Sequence, residues 1–210
     1  MSEKEEVLRQ ISEIKNHLID KKTFFPYNYN ACHAWAVIAL VLTVVMVPLY
    51  EYSVAMGTGV VFTLIAIGFL IEGSLTKKVN ERYDIDECTK RQHYIMKNFL
   101  MIALFLILLT TLLASHKLYA VIYLAWLFLI SLGYFAVGFV LNIKKFTEMA
   151  NFNMALSLLL LLIGIYLEAL VGSDSLFLRL TQAVVIVGLA LLPSWIALRQ
   201  QREERKECGV

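Results

Sequence analysis

Charge is scarce in this sequence, and the scarcity is uneven. From Ala31 to Leu75 only Glu51 and Glu72 carry a formal charge, and from Asn98 to Leu141 only Lys117 does. Proline is confined to Pro26, Pro48 and Pro193, so helix breakers are rare. There is no HExxH, no GxSxG with a histidine partner, no Walker loop and no Rossmann glycine run, which removes the enzyme classes those motifs serve. The basic residues are scattered without a recognition module, so nucleic acid is not an expected partner. Only three cysteines occur, Cys32, Cys88 and Cys208, and none forms a CxxC pair.

What fills the space is apolar. Of 210 residues 59% are hydrophobic, and the mean hydropathy is +0.68, beyond what a soluble domain of this length carries. The apolar residues form runs long enough for a hydrocarbon core of about 30 Å at about 1.5 Å per helical residue. We place six spans at Ala31–Tyr50, Val54–Leu75, Asn98–Ser115, Leu118–Leu141, Phe152–Val171 and Leu176–Leu198. No run alternates apolar and polar residues as a barrel strand does, and backbone groups in lipid must be satisfied within the segment, so the spans are helices. The expected fold class is all-α: a polytopic membrane protein of six transmembrane helices arranged as three hairpins.

Lysine and arginine set the orientation. Five precede the first span, six lie between the second and third, two (Lys144, Lys145) between the fourth and fifth, and four follow the sixth. Of the nineteen, only Lys117 and Arg179 fall on the other side. Both termini are therefore expected in the cytoplasm, with residues 1–25 a cytoplasmic helix, 26–198 the membrane domain and 199–210 a cytoplasmic tail. All three cysteines fall at or near that face and are expected as thiols in a reducing compartment. The order of charged and apolar segments is not that of a cleavable signal peptide. Met1-Ser2 lacks the myristoylation glycine, and Cys208-Gly209-Val210 is no prenylation box.

The amino-terminal segment opens with Ser2-Glu3-Lys4-Glu5, a capping box, followed by an apolar stripe at Val7, Ile11, Ile14 and Leu18. Such a short helix must dock its stripe on lipid, on the bundle or on a cytoplasmic partner. Pro26 ends it, and Phe24, Phe25, Tyr27 and Tyr29 set the depth of the first span. Lys21-Lys22-x5-Asn28-Tyr29-Asn30 has the spacing of Lys144-Lys145-x5-Asn151-Phe152-Asn153, an expected sign of repeated hairpins. Ala55-xxx-Gly59 and Ala190-xxx-Ser194 allow close helix approach.

Candidate chemistry is limited. Cys32 and His33 offer metal ligands, but adjacent residues point apart on a helix. Asp84, Asp86, Cys88 and His93 form the densest polar cluster, with ligand types suited to a divalent cation yet the spacing of no calcium or zinc motif; helix capping explains the acids equally. Glu72 and Glu168 are the carboxylates nearest lipid and so the ion or proton candidates, although both lie close enough to a membrane surface to reach water. No cofactor is called for.

Ile11-Ser12-Glu13-Ile14-Lys15 and the stretch Leu118-Tyr119-Ala120-Val121-Ile122-Tyr123 opening the fourth span resemble a loosely defined, uncharacterised family of small bacterial six-span proteins with an amino-terminal cytoplasmic helix. The resemblance implies the bacterial inner membrane and assigns no residue a role. Those proteins have a Ser/Gly-rich approach to the first span, where this chain has Pro26-Tyr27-Asn28-Tyr29-Asn30.

Three functions fit these residues. The first is a non-enzymatic membrane regulator, sensor or scaffold acting through the cytoplasmic helix and the 76–97 connection. The second is a small permease or channel subunit acting as a homo-oligomer. The third is a membrane metal or haem protein.

Overall fold

The computed structural model describes residues 6–7, 9–11, 28–82, 90–141 and 143–207. Six of its helices are long and apolar enough to cross a membrane. They are α1 (Tyr29–Tyr52), α2 (Val54–Arg82), α3 (Lys90–Ser115), α4 (Tyr119–Val140), α5 (Lys144–Tyr166), and a sixth span in three pieces. That span is α6 (Leu176–Val185), a π-helical turn (Ile186–Leu191) and α7 (Leu192–Glu207). Among the described residues every element is helical, and the chain is a multi-pass membrane protein.

The turns are closed by backbone chemistry. Ser53 is extended between α1 and α2 and donates to the Leu49 carbonyl, so a single residue reverses the chain. After α3, Lys117 adopts a left-handed conformation (φ 55°). Its amide donates to Ala114, and that of Leu118 reaches back to Leu113 at 3.0 Å. This is the Schellman arrangement, which satisfies the last carbonyls of a helix. The end of α5 repeats it with Glu168 (φ 52°): Glu168 donates to Ile165 and Ala169 to Gly164. The fifth span therefore stops at Tyr166 rather than at the expected Val171. Gly172, at φ 106°, donates to the Lys117 carbonyl and ties the two turns together.

At the other end of the bundle Asn28 donates to Thr76, Asn80 and Gln92 exchange hydrogen bonds, and Gln201 donates to Asn30. The start of the first span and the end of the sixth thus meet. This end carries Lys77, Lys78, Lys144, Lys145 and Arg199, and we call it the basic end. The α1–α2, α3–α4 and α4–α5 neighbours pack directly, while the sixth span lies mainly against α1 and α4. α4 sits at the centre, with Tyr119, Tyr123 and Leu127 at most 2% exposed. Gly138 lets α4 meet the start of α5: a Cβ there would come within 2.8 Å of the Thr147 amide nitrogen. The outer faces are apolar, with Leu70, Leu108, Phe139 and Leu162 exposed, as lipid contact requires.

The π turn has a local cause. Pro193 has no N–H and its ring would crowd the carbonyl four residues back, so a regular α-helix is disfavoured there. The Leu192 amide donates to Val187, five residues back, in π fashion. The Gly188 carbonyl would next be served by residue 193, which has no proton to give. Asn153 of α5, buried at 1% exposure, supplies the missing donor at 3.1 Å. In lipid that exchange matters, since an unpaired carbonyl costs several kcal/mol there.

The two stretches of the lysine–asparagine spacing occupy different places. Asn28 caps α1 whereas Asn151 lies two turns inside α5; Asn30 is exposed whereas Asn153 is buried. The local structures at these asparagines do not correspond, and Lys21 and Lys22 lie outside the described residues. The Ala55 and Gly59 pair also faces outward, and no atom lies within 4 Å of where a Gly59 Cβ would stand. The close approaches occur instead at Gly57, against the Tyr50 ring, and at Gly68, against Trp35 and Ile38.

Candidate functional site: a cavity between the spans

Packing leaves a gap among the spans. A cavity of about 90 Å³ lies between the first, second, third, fourth and sixth spans. Its walls are mainly aliphatic and aromatic: Ile38 and Leu42 from α1, Ile65 and Phe69 from α2, Phe99 and Ala103 from α3. It begins near the basic end at Cys32, Glu72 and Tyr134 and reaches Thr43 and Tyr123 at its far end. Val185 and Leu189 close one side, so the π turn contributes directly to the wall.

The polar groups at the two ends are handled differently. At the far end the Tyr123 hydroxyl donates to the Thr43 carbonyl at 2.7 Å. Gln182 of α6 donates to the same carbonyl and to the Tyr123 oxygen. The Thr43 hydroxyl turns back onto Ala39, and Trp126 donates to Thr110 at 2.8 Å. Beyond this layer, Tyr50, Thr58 and Thr111 make a second chain of hydroxyls. These groups are neutral, and each satisfies another.

At the near end stands a carboxylate. Glu72 Oε2 accepts from the Trp35 indole at 2.9 Å. Tyr134 and the Cys32 thiol, hydrogen-bonded to each other, stand in the same wall. The indole is fixed in turn by an edge contact with Phe69, centroids 5.1 Å apart, and by Gly68, whose missing Cβ leaves room for its ring. No lysine or arginine pairs with Glu72 among the described residues. One turn further along α2, Thr76 accepts from Asn28, whose own amide oxygen is buried without a partner among those residues.

Glu72, expected as an ion or proton candidate within reach of the membrane surface, is a cavity residue. Sequence could locate its depth but not the side of α2 it faces. Glu168 is the exposed left-handed cap of α5, and that backbone role accounts for it. Cys32 is buried at 2% exposure and in no disulfide, whereas His33 is half-buried on another face. His93 is exposed at the start of α3; Asp84, Asp86 and Cys88 lie outside the described residues. No group of three metal-ligating side chains occurs among the described residues. His33 and His116 sit at opposite ends of the bundle, too far apart to share a haem. In the amino-terminal stripe Val7 and Ile11 are exposed and helical, while Ile14 and Leu18 lie outside the described residues. The cavity residues Trp35, Phe69, Phe99, Tyr123 and Tyr134 escaped sequence reasoning, because aromatic residues in spans are ordinary packing and nothing in the pattern marks a gap.

Comparison with family models, with curated proteins and with solved structures returns no match.

Proposed function

We propose that this chain is a non-enzymatic membrane sensor or regulator that takes a small ligand into its helix bundle. The observation that carries the reading is the cavity together with the interrupted span that walls it. A ligand touching Leu189 bears on a π turn, a feature frequent at functional sites, and α7 continues from that turn to the basic end. A ligand that fits one conformation of the turn better than another shifts the balance between them by its difference in affinity. The change then reaches the tail and whatever docks there.

In this reading the basic end faces the cytoplasm of a bacterial inner membrane, with both termini on that side, as the lysine and arginine distribution supports. The spans come in three hairpins. Val7, Ile11, Ile14 and Leu18 form the docking stripe for a cytoplasmic partner, with the 76–97 connection beside them.

Binding is tested on protein in lipid nanodiscs. Trp35 and Trp126 line the cavity, so a bound solute changes their fluorescence saturably, and Ala103→Phe, which fills the space, removes the change. Hydrogen exchange in α7 should slow or quicken with occupancy. Exchange that is indifferent to a ligand known to bind would end the sensor reading. Ile11→Asp is expected to release a co-purifying cytoplasmic partner.

A second reading is a small permease subunit, favoured by the carboxylate inside the cavity. It predicts flux in liposomes that falls with Glu72→Gln, and it requires the Tyr123–Thr43–Gln182 layer to open.

A further inference from the structure

The chemistry of the cavity wall narrows the ligand. The proposal rests on the reading of the cavity as a ligand site and adds a class. A carboxylate offers about four acceptor positions, and Glu72 has one donor, the Trp35 indole. Among the described residues the elements packed around it bring no cation into the cavity lining: α1 presents Trp35 and Cys32, α3 presents Ile95 and Phe99, and α4 presents Tyr134. A carboxyl group set against apolar walls without a counter-ion ionises only at a cost, and a ligand that brings the opposite charge offsets that cost and favours the ionised form. The rings of Trp35, Phe69, Phe99 and Tyr134 suit the same ligand, since aromatic faces attract cations more strongly as water is removed.

Size sets the other limit. An apolar cavity of about 150 Å³ holds benzene. One of about 90 Å³ holds a solute of roughly four heavy atoms by the same measure.

We propose that the cavity binds a small alkylammonium cation, with the ammonium on the Glu72 carboxylate and the alkyl chain among the aromatic and aliphatic side chains towards Thr43 and Tyr123.

The test titrates propylammonium chloride, and separately 1-propanol, against the full-length protein in nanodiscs, following tryptophan fluorescence. The two probes have the same number of heavy atoms and differ in charge. Propylammonium is expected to saturate the signal at concentrations at least about tenfold lower than propanol, a difference of about 1.4 kcal/mol. Glu72→Gln should remove that preference while leaving propanol binding in place, which shows the site intact; Glu72→Asp should keep the preference in part. Equal binding of the two probes, or an unchanged preference in Glu72→Gln, overturns the cation assignment. Binding of propanol alone overturns it too, yet leaves the cavity a ligand site. If neither probe gives a signal that Ala103→Phe removes, the cavity is no ligand site and both readings fall.

Discussion

Two polar layers cross the interior of this bundle, eight residues apart on α1, or about 12 Å. The layer at Thr43 is made of a carbonyl, hydroxyls and an amide that spend their hydrogen bonds on one another. The layer at Trp35 holds a carboxylate with a single donor and open space beside it. Neutral groups that satisfy each other fix helix positions and leave nothing over for a ligand. A charge with acceptors to spare does the reverse: it leaves local binding capacity at some cost in stability. The contrast separates the part of the bundle that holds the helices in register from the part with capacity for chemistry.

The sharpest way to break the contrast is Trp35→Phe. It removes the one donor to Glu72 and loosens the seat against Phe69, so we expect a loss of about 2 kcal/mol, the scale of a hydrogen bond to a charged group. Unfolding of the solubilised protein in SDS titrations reads it. Asn153→Leu comes next, at about 1–3 kcal/mol, because it strands the buried Gly188 carbonyl. Pro193→Ala supplies an amide to the same turn and should recover part of that loss in the double variant. Strictly additive losses would show that the proline does not cause the orphaned carbonyl. Tyr123→Phe is expected to cost about 1 kcal/mol, since Gln182 still donates to the Thr43 carbonyl. A loss larger than that of Trp35→Phe would invert the comparison. Asp174→Asn, at the exposed pair with Arg179, should cost under about 1 kcal/mol, less at high salt.

Much of the architecture was legible from residue order. All six expected spans begin within eight residues of the observed helices, and the first, second, fourth and sixth begin within two. The fifth starts earlier, at Lys144, because flanking lysines can occupy a helical turn at the membrane surface as easily as a loop. The site was less legible. Glu72 stood out as a carboxylate near lipid, and Glu168 stood out equally; one lines a cavity and the other caps a helix. Ala55 and Gly59 carried the close-packing signature and face outward, while Gly68, without that signature, admits Trp35. Cys32 and His33 were one candidate pair, and the helix sends them to different faces.

By itself, the sequence determined how many helices among the described residues are long and apolar enough to span a membrane, roughly where each begins and ends, and which end of the bundle gathers the positive charge. Those properties follow from local requirements: backbone hydrogen bonds must close within each segment in lipid, and lysine and arginine avoid it. Tertiary structure alone decided which side of each helix looks inward. Spans that are apolar nearly all round carry little information about their own rotation, so the facing of Glu72 was settled by how the Trp35 ring fits over Gly68. The π turn likewise needed Asn153, a residue from another span, to take the carbonyl that Pro193 left unserved.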